Sequence, residues 1–146
     1  MDTNIDCREL VNAIGDAVIV ANASGKIALW NPGAERLFGF SEHEALGQSL
    51  DLIVPDRLRK RHWDGYDKCM ATGVTKYGHE LLRVPAVRKD GSGLSIAFTV
   101  ALLFDENHAV SAIVSVIRDD TQRFNDERAL RKRLAEVEAG TPAANP

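Results

Sequence analysis

Ala17-Val18-Ile19-Val20-Ala21-Asn22-Ala23-Ser24-Gly25-Lys26-Ile27-Ala28-Leu29-Trp30-Asn31-Pro32 is the stretch that decides the fold. The small and branched apolar residues 17–21 favour a strand. Asn22-Ala23-Ser24-Gly25 supplies turn chemistry, because Asn and Gly tolerate positive φ. Ile27 to Trp30 is the returning strand, so the segment reads as a β-hairpin. Asn31-Pro32 then opens a helix. Proline fits the first helical position, and the Asn31 side chain can cap that turn.

The chain on either side continues this pattern. Upstream, Leu10, Val11 and Ile14 have helical spacing, which predicts a short helix over Cys7 to Ile14. Downstream, Ala34, Leu37 and Phe38 form the buried face of the helix that starts at Pro32, and Gly39 ends it. Ser41-Glu42-His43-Glu44 has a capping-box arrangement and begins a second short helix. A loop through Leu50, Leu52, Ile53 and Val54 leads to Pro55. Asp56 to Ala71 reads as the longest internal helix, closed by Thr72-Gly73. Tyr77 to Arg88 reads as a strand, which Pro85 demotes to an edge or bulged position. Asp90-Gly91 is a turn, and Leu94, Ile96, Phe98 and Val100 alternate onto one face of the next strand. A turn at Asp105-Glu106-Asn107 leads into the last strand, Val110 to Ile117. Two strands, several helices and three more strands make an α+β domain: a five-stranded antiparallel sheet with helices on one face.

Residues 122–139 differ in character. They are charged, carry an apolar stripe at Leu130, Leu134 and Val137, and predict an exposed helix of about two heptads. The expected organisation is a flexible N-terminus (1–7), one folded domain (8–121), a coiled-coil-like helix (122–139) and a disordered tail (140–146).

Composition narrows the function classes. The 146 residues suit one domain, with 45% hydrophobic and 27% charged side chains. A net charge of −3 gives no electrostatic reason to expect nucleic acid as a partner. Apolar runs are broken well short of about 18 residues, which gives no membrane span. Two cysteines, Cys7 and Cys69, without CxxC or metal spacing point to a reducing cytoplasm. There is no G-x-S-x-G, P-loop or H-E-x-x-H, so nothing predicts an enzyme.

Four landmarks in order carry a family resemblance: Asn31-Pro32, Gly39-Phe40-Ser41, Lys89-Asp90-Gly91-Ser92 and Arg118-Asp119-Asp120-Thr121. Together they resemble a PAS domain, a small sensory module that passes strain into an adjoining helix. The resemblance implies a ligand pocket between the sheet and the longest internal helix. It also implies that Thr121 ties the last strand to the output helix.

The helix that carries Arg57-Leu58-Arg59-Lys60-Arg61-His62 is similar to its counterpart in the haem-binding PAS domains of bacterial oxygen sensors. Counted without gaps from His62, Thr72-Gly73 and Lys89-Asp90-Gly91 fall where that pattern places them. The resemblance implies haem b, with His62 as ligand to the haem iron. One axial histidine leaves the other face open for a gas. Two residues depart from the pattern. Tyr66 comes four residues after the histidine instead of three, and Leu82 stands where the kinase sensors carry a distal arginine, with Arg83 as its neighbour. In a strand that offset moves the side chain to the other face unless a bulge intervenes.

Trp63 and Tyr66 read either as aromatic pocket walls or as core residues whose polar tips find partners. Tyr77, Ile96, Phe98 and Val100 are expected to point inward as apolar walls, and His79 and Glu80 to be exposed. Flavin-binding LOV domains place a reactive cysteine where this chain has Gly47-Gln48-Ser49-Leu50-Asp51-Leu52, with no thiol. Two function classes emerge. One is a sensor of a small ligand or of a redox or gas signal, relaying through the C-terminal helix to a second copy or to a partner protein in trans. The other is a cofactor-free dimerisation module.

Overall fold

The computed structural model describes residues 4–75 and 79–140. Along the chain lie α1 (Cys7–Ala13), β1 (Ala17–Asn22), β2 (Ile27–Trp30), α2 (Pro32–Phe38) and α3 (Glu42–Ala45). Two 3₁₀ turns, Leu50–Leu52 and Asp56–Leu58, lead into α4 (Arg59–Thr72). Then come β3 (Leu82–Val87), β4 (Gly93–Phe104), β5 (Val110–Asp119) and α5 (Thr121–Gly140). The five strands form one antiparallel sheet in the order β2-β1-β5-β4-β3.

Local sequence sets the element boundaries. Asn31 caps α2 by accepting from the Ala34 amide at 2.9 Å, and Gly39 closes it in a left-handed conformation. Ser41 and Glu44 form a reciprocal capping box at α3. Asn31 does more than cap. It is 1% exposed, accepts from the Val18 amide at 2.8 Å, and donates to the carbonyls of Val11 (3.0 Å) and Asp16 (3.1 Å). One side chain thus ties α1, β1 and α2 together. Gly33 allows α2 to lie directly on the start of β1, since a Cβ there would strike the Asp16 carbonyl.

The core lies between the helices and one face of the sheet. Trp30 and Phe38 are its largest fully buried side chains, with ring centroids 5.7 Å apart. The Trp30 indole donates to the Phe40 carbonyl at 2.9 Å, which leaves its polar tip satisfied. From β4, Leu94 and Ile96 enter this core, and Phe98, Val100 and Leu102 pack against it.

Several boundaries differ from the sequence expectation. β4 runs on to Phe104 instead of ending at Val100, because β5 pairs with it through Phe104↔Val110. The strand expected from Tyr77 begins at Leu82, where pairing with Phe98 starts, and Tyr77 lies outside the described residues. β3 is an edge strand whose register with β4 is continuous through Pro85, so it carries no bulge. Residues 1–3 and 141–146 of the expected flexible termini also lie outside the described residues.

Candidate functional site

α4 carries the aromatic cluster on which the site is built. His62, Trp63 and Tyr66 share one region of the helix surface. The His62 and Trp63 ring centroids are 4.7 Å apart, and those of Trp63 and Tyr66 are 5.1 Å apart. Trp63 and Tyr66 anchor the helix. The Trp63 indole donates to an Asp51 carboxylate oxygen at 2.6 Å, and its six-membered ring lies against Gly25 in the β1–β2 turn. The Tyr66 hydroxyl donates to the Asn22 carbonyl at the end of β1. Burial pushes the Tyr66 hydroxyl up to about 12. Arg59 adds hydrogen bonds to the Asp51 and Val54 carbonyls, both at 3.2 Å. At the C-terminal end of α4, Gly73 sits beside Phe104 and Val110.

These anchors gather at one end of the sheet, where the β1–β2 and β4–β5 turns lie. Toward β3 the inner face is less covered. Cross-strand partners share a face, so the pairs Leu82↔Phe98 and Val84↔Ile96 place Leu82 and Val84 on the core side. Yet Val84 is 38% exposed, and Leu82, Phe98, Val100 and Leu102 are only half-buried. The apolar inner face of the β3–β4 half of the sheet is therefore only partly covered.

His62 stands at this cluster in an unusual state. Its Nδ1 is buried with no hydrogen-bond partner. Burial lowers its pKa below the ordinary 6.5, and the Asp51 carboxylate opposes this only in part. The imidazole is thus held neutral, the form that ligates a metal. An orphaned buried nitrogen costs about 1–3 kcal/mol, which a ligand on the ring would relieve. His62 and the apolar inner face fit a haem group on these grounds. Among the described residues, no cluster of three or more His, Cys, Asp or Glu side chains could hold a bare metal ion.

The other residues singled out from sequence divide between the two faces. Leu82, Ile96, Phe98 and Val100 line the inner face. Arg83 points to the opposite face and pairs with Asp120 at 3.5 Å. Without a bulge in β3, it stays off the inner face. His79 and Glu80 are exposed. Sequence reasoning passed over Asp51, Asn22 and Gly25, the three residues that receive α4. Their partners are 12 to 44 positions away, and only the turn chemistry of Asn22 and Gly25 marks them locally.

At the far end, Arg83 and its neighbours reach the start of α5. The Thr121 Oγ1 accepts from the Ser95 amide at 3.1 Å, and the Asp120 amide donates to the Ser95 carbonyl at 2.8 Å. Asp119 takes the Thr121 amide at 2.8 Å and pairs with Arg88 at 3.3 Å. The Thr121 oxygen thus bonds β4, and Asp119 holds the Thr121 amide at the helix start. Asp120, depressed below the usual carboxylate range first by Arg123 and then by Arg83, joins the edge strand to the helix. Among the described residues, no helix is long and apolar enough to cross a membrane.

The comparisons agree with this architecture. The sequence profile described as PAS fold matches residues 6–119. The chain is 46% identical over 131 residues to sensor protein FixL of Bradyrhizobium diazoefficiens, covering 89% of this chain and 25% of that protein. It is 21% identical over 120 residues to oxygen sensor protein DosP of Escherichia coli, covering 82% and 15%. The chain thus spans a quarter or less of the curated relatives it matches. Among solved structures, the PAS domain of a Colwellia psychrerythraea protein superposes with a TM-score of 0.69 at 22% identity, covering 80% of this chain and 95% of that one. With its sheet, its helices and the strand-to-helix junction all in that pattern, the chain belongs to the PAS family.

Proposed function

We propose that this PAS module senses a redox or gas signal through haem b held between α4 and the inner face of the sheet, with His62 as the iron ligand. One observation carries the reading: a histidine with a buried, partnerless nitrogen, held toward its neutral form by burial, stands on α4, while the apolar inner face of the β3–β4 half of the sheet is only half-covered. When bound, haem supplies an iron centre with a position open to a diatomic gas. Leu82, Ile96, Phe98 and Val100 supply apolar walls. Trp63 and Tyr66 fix the rotation of α4 and hence the direction of the imidazole. With Leu82 facing inward and Arg83 facing away, β3 offers the inner face no cationic donor from these two positions.

Signal output uses the junction at α5. A ligand that favours one seating of β3 and β4 also favours one position of Ser95 and Arg83, and through them of Thr121 and Asp120. The shift occurs only if the ligand binds the two seatings unequally. The alternative reading, a cofactor-free dimerisation module, is favoured by the exposed apolar side chains of α5.

Absorption spectra of the purified protein titrated with hemin test the proposal. The wild type is expected to develop a Soret band that shifts on reduction and with carbon monoxide. His62→Ala should lose it while keeping its far-UV circular dichroism. A full Soret band in His62→Ala overturns the ligand assignment, and no band in the wild type overturns haem.

A further inference from the structure

We propose that Ser115, on the middle strand of the sheet, sets the ligand specificity of this module, its hydroxyl donating to a gas held on the sheet side of the haem. This deepens the haem reading and rests on it. β5 lies between β1 and β4. Ser115 stands opposite Ile19 of β1 and Val100 of β4, both on the core side, so its own side chain is on the inner face. Two positions away on either side, Ile113 and Ile117 share that face and are buried. Ser115 between them is only half-buried.

The fold makes no use of this hydroxyl. It forms no hydrogen bond with another described residue. The other three of the four polar side chains on β5 are engaged. Ser111 donates to the Leu103 carbonyl at 3.2 Å, Arg118 pairs with Asp16 at 3.0 Å, and Asp119 takes the Thr121 amide and Arg88. A branched apolar side chain would suit the middle of a central strand better, because it packs against both neighbours. A serine there gives up packing and leaves a donor without an acceptor. A position where the local choice works against the fold is a candidate for function.

The half-covered region runs from Ser115 to its partner Val100, along β4 to Phe98, and across to Leu82 of β3. With the haem held between α4 and this face, the sheet side is the side away from His62. Leu82 offers it no hydrogen, and Arg83 is turned outward to Asp120. A serine hydroxyl has one proton to donate and carries no charge. Donors on the open side of a haem decide how a gas is held. Dioxygen gathers negative charge on its outer atom at a ferrous centre and gains from such a donor, whereas carbon monoxide gathers little. A neutral donor is about half as strong as a charged one, so the preference it confers is moderate.

The test compares Ser115→Ala, Ser115→Val and Ser115→Thr with the wild type, each loaded with hemin and reduced. Ser115→Ala and Ser115→Val should release dioxygen roughly fivefold faster, with carbon monoxide release nearly unchanged. Ser115→Thr has the shape of valine but keeps the hydroxyl, and should stay near the wild type. The infrared C–O stretch of bound carbon monoxide should move to higher frequency in the alanine and valine variants only. In hemin-free protein, Ser115→Ala should keep or raise the urea midpoint, because it removes an unpartnered hydroxyl from an apolar face. Equal dioxygen release from wild type, Ser115→Ala and Ser115→Val overturns the role of Ser115 and leaves the haem reading standing. A lowered urea midpoint in hemin-free Ser115→Ala also overturns it, since the hydroxyl then serves the fold. A wild type that develops no Soret band overturns the haem reading itself, so the two failures are separately visible.

Discussion

Gly25→Ala is the most direct probe of how α4 is docked. Gly25 has φ of +82°, and a Cβ there would overlap the six-membered ring of Trp63. Two costs arise. An alanine in the left-handed region costs about 1–2 kcal/mol. Forcing the indole aside costs about a further 1–3 kcal/mol of overpacking. The ring cannot withdraw freely, because its Nε1 is held by Asp51 at 2.6 Å, and a hydrogen bond to a charged group is worth about 1.5–3 kcal/mol. The two costs together come to about 2–5 kcal/mol. In a Trp63→Ala background the collision is gone and only the backbone cost should remain. Urea unfolding followed by far-UV circular dichroism on the four proteins closes a double-mutant cycle, with an expected coupling of about 1–3 kcal/mol. If Gly25→Ala costs the same in both backgrounds, Trp63 is not what rests on the β1–β2 turn, and the anchoring argument for α4 fails.

Two further outcomes concern buried polar groups. Asn31→Ala strands the Val18 and Ala34 amides and the carbonyls of Val11 and Asp16, and should cost about 3–5 kcal/mol in the same unfolding assay. Asn31→Asp keeps the acceptor but turns an oxygen toward those carbonyls, so it should be destabilising too; a near-neutral Asn31→Asp refutes the donated half of the network. For His62 the sign runs through its depressed pKa. Below about pH 6.5 the unfolded chain takes a proton that the folded chain refuses, so this residue lowers stability as pH falls, until the folded group also titrates. Urea midpoints from about pH 7.5 down to about pH 5 should therefore fall more steeply in wild type than in His62→Leu. Parallel slopes would show that His62 is solvated.

The parts legible in the sequence are those whose causes are local. The cap at Asn31, the box at Ser41 and Glu44 and the alternation from Leu94 to Val100 each depend on residues a few positions apart, and the structure shows all three. The second role of Asn31 was not legible, because its partners lie 13 to 20 residues upstream. The same holds for Trp63 and Tyr66. Their type promises a partner for the polar tip, but that Asp51 and Asn22 supply it is decided by the path of the chain between them. The sequence pattern understates the length of β4 because pairing with β5 extends it into residues whose own alternation has weakened. The offset between Leu82 and Arg83 is visible as a count, and the unbroken register of β3 settles which lies on the inner face.

Pro85 lies on the free side of the sheet, and its effect reaches beyond the strand that contains it. Having no amide, it cannot take part in a strand added to that margin, and the Val87 amide is already given to the Ile53 carbonyl at 3.0 Å. At the opposite margin β2 is occupied by the chain itself. The Ile27 amide bonds the Gln48 carbonyl and the Gly47 amide bonds the Ile27 carbonyl, both at 2.8 Å. A sheet interrupted in this way at both borders is a poorer template for runaway polymerisation than a fully open edge. Copies that associate must do so through a helix or a sheet face, and twofold contacts of that kind close on themselves.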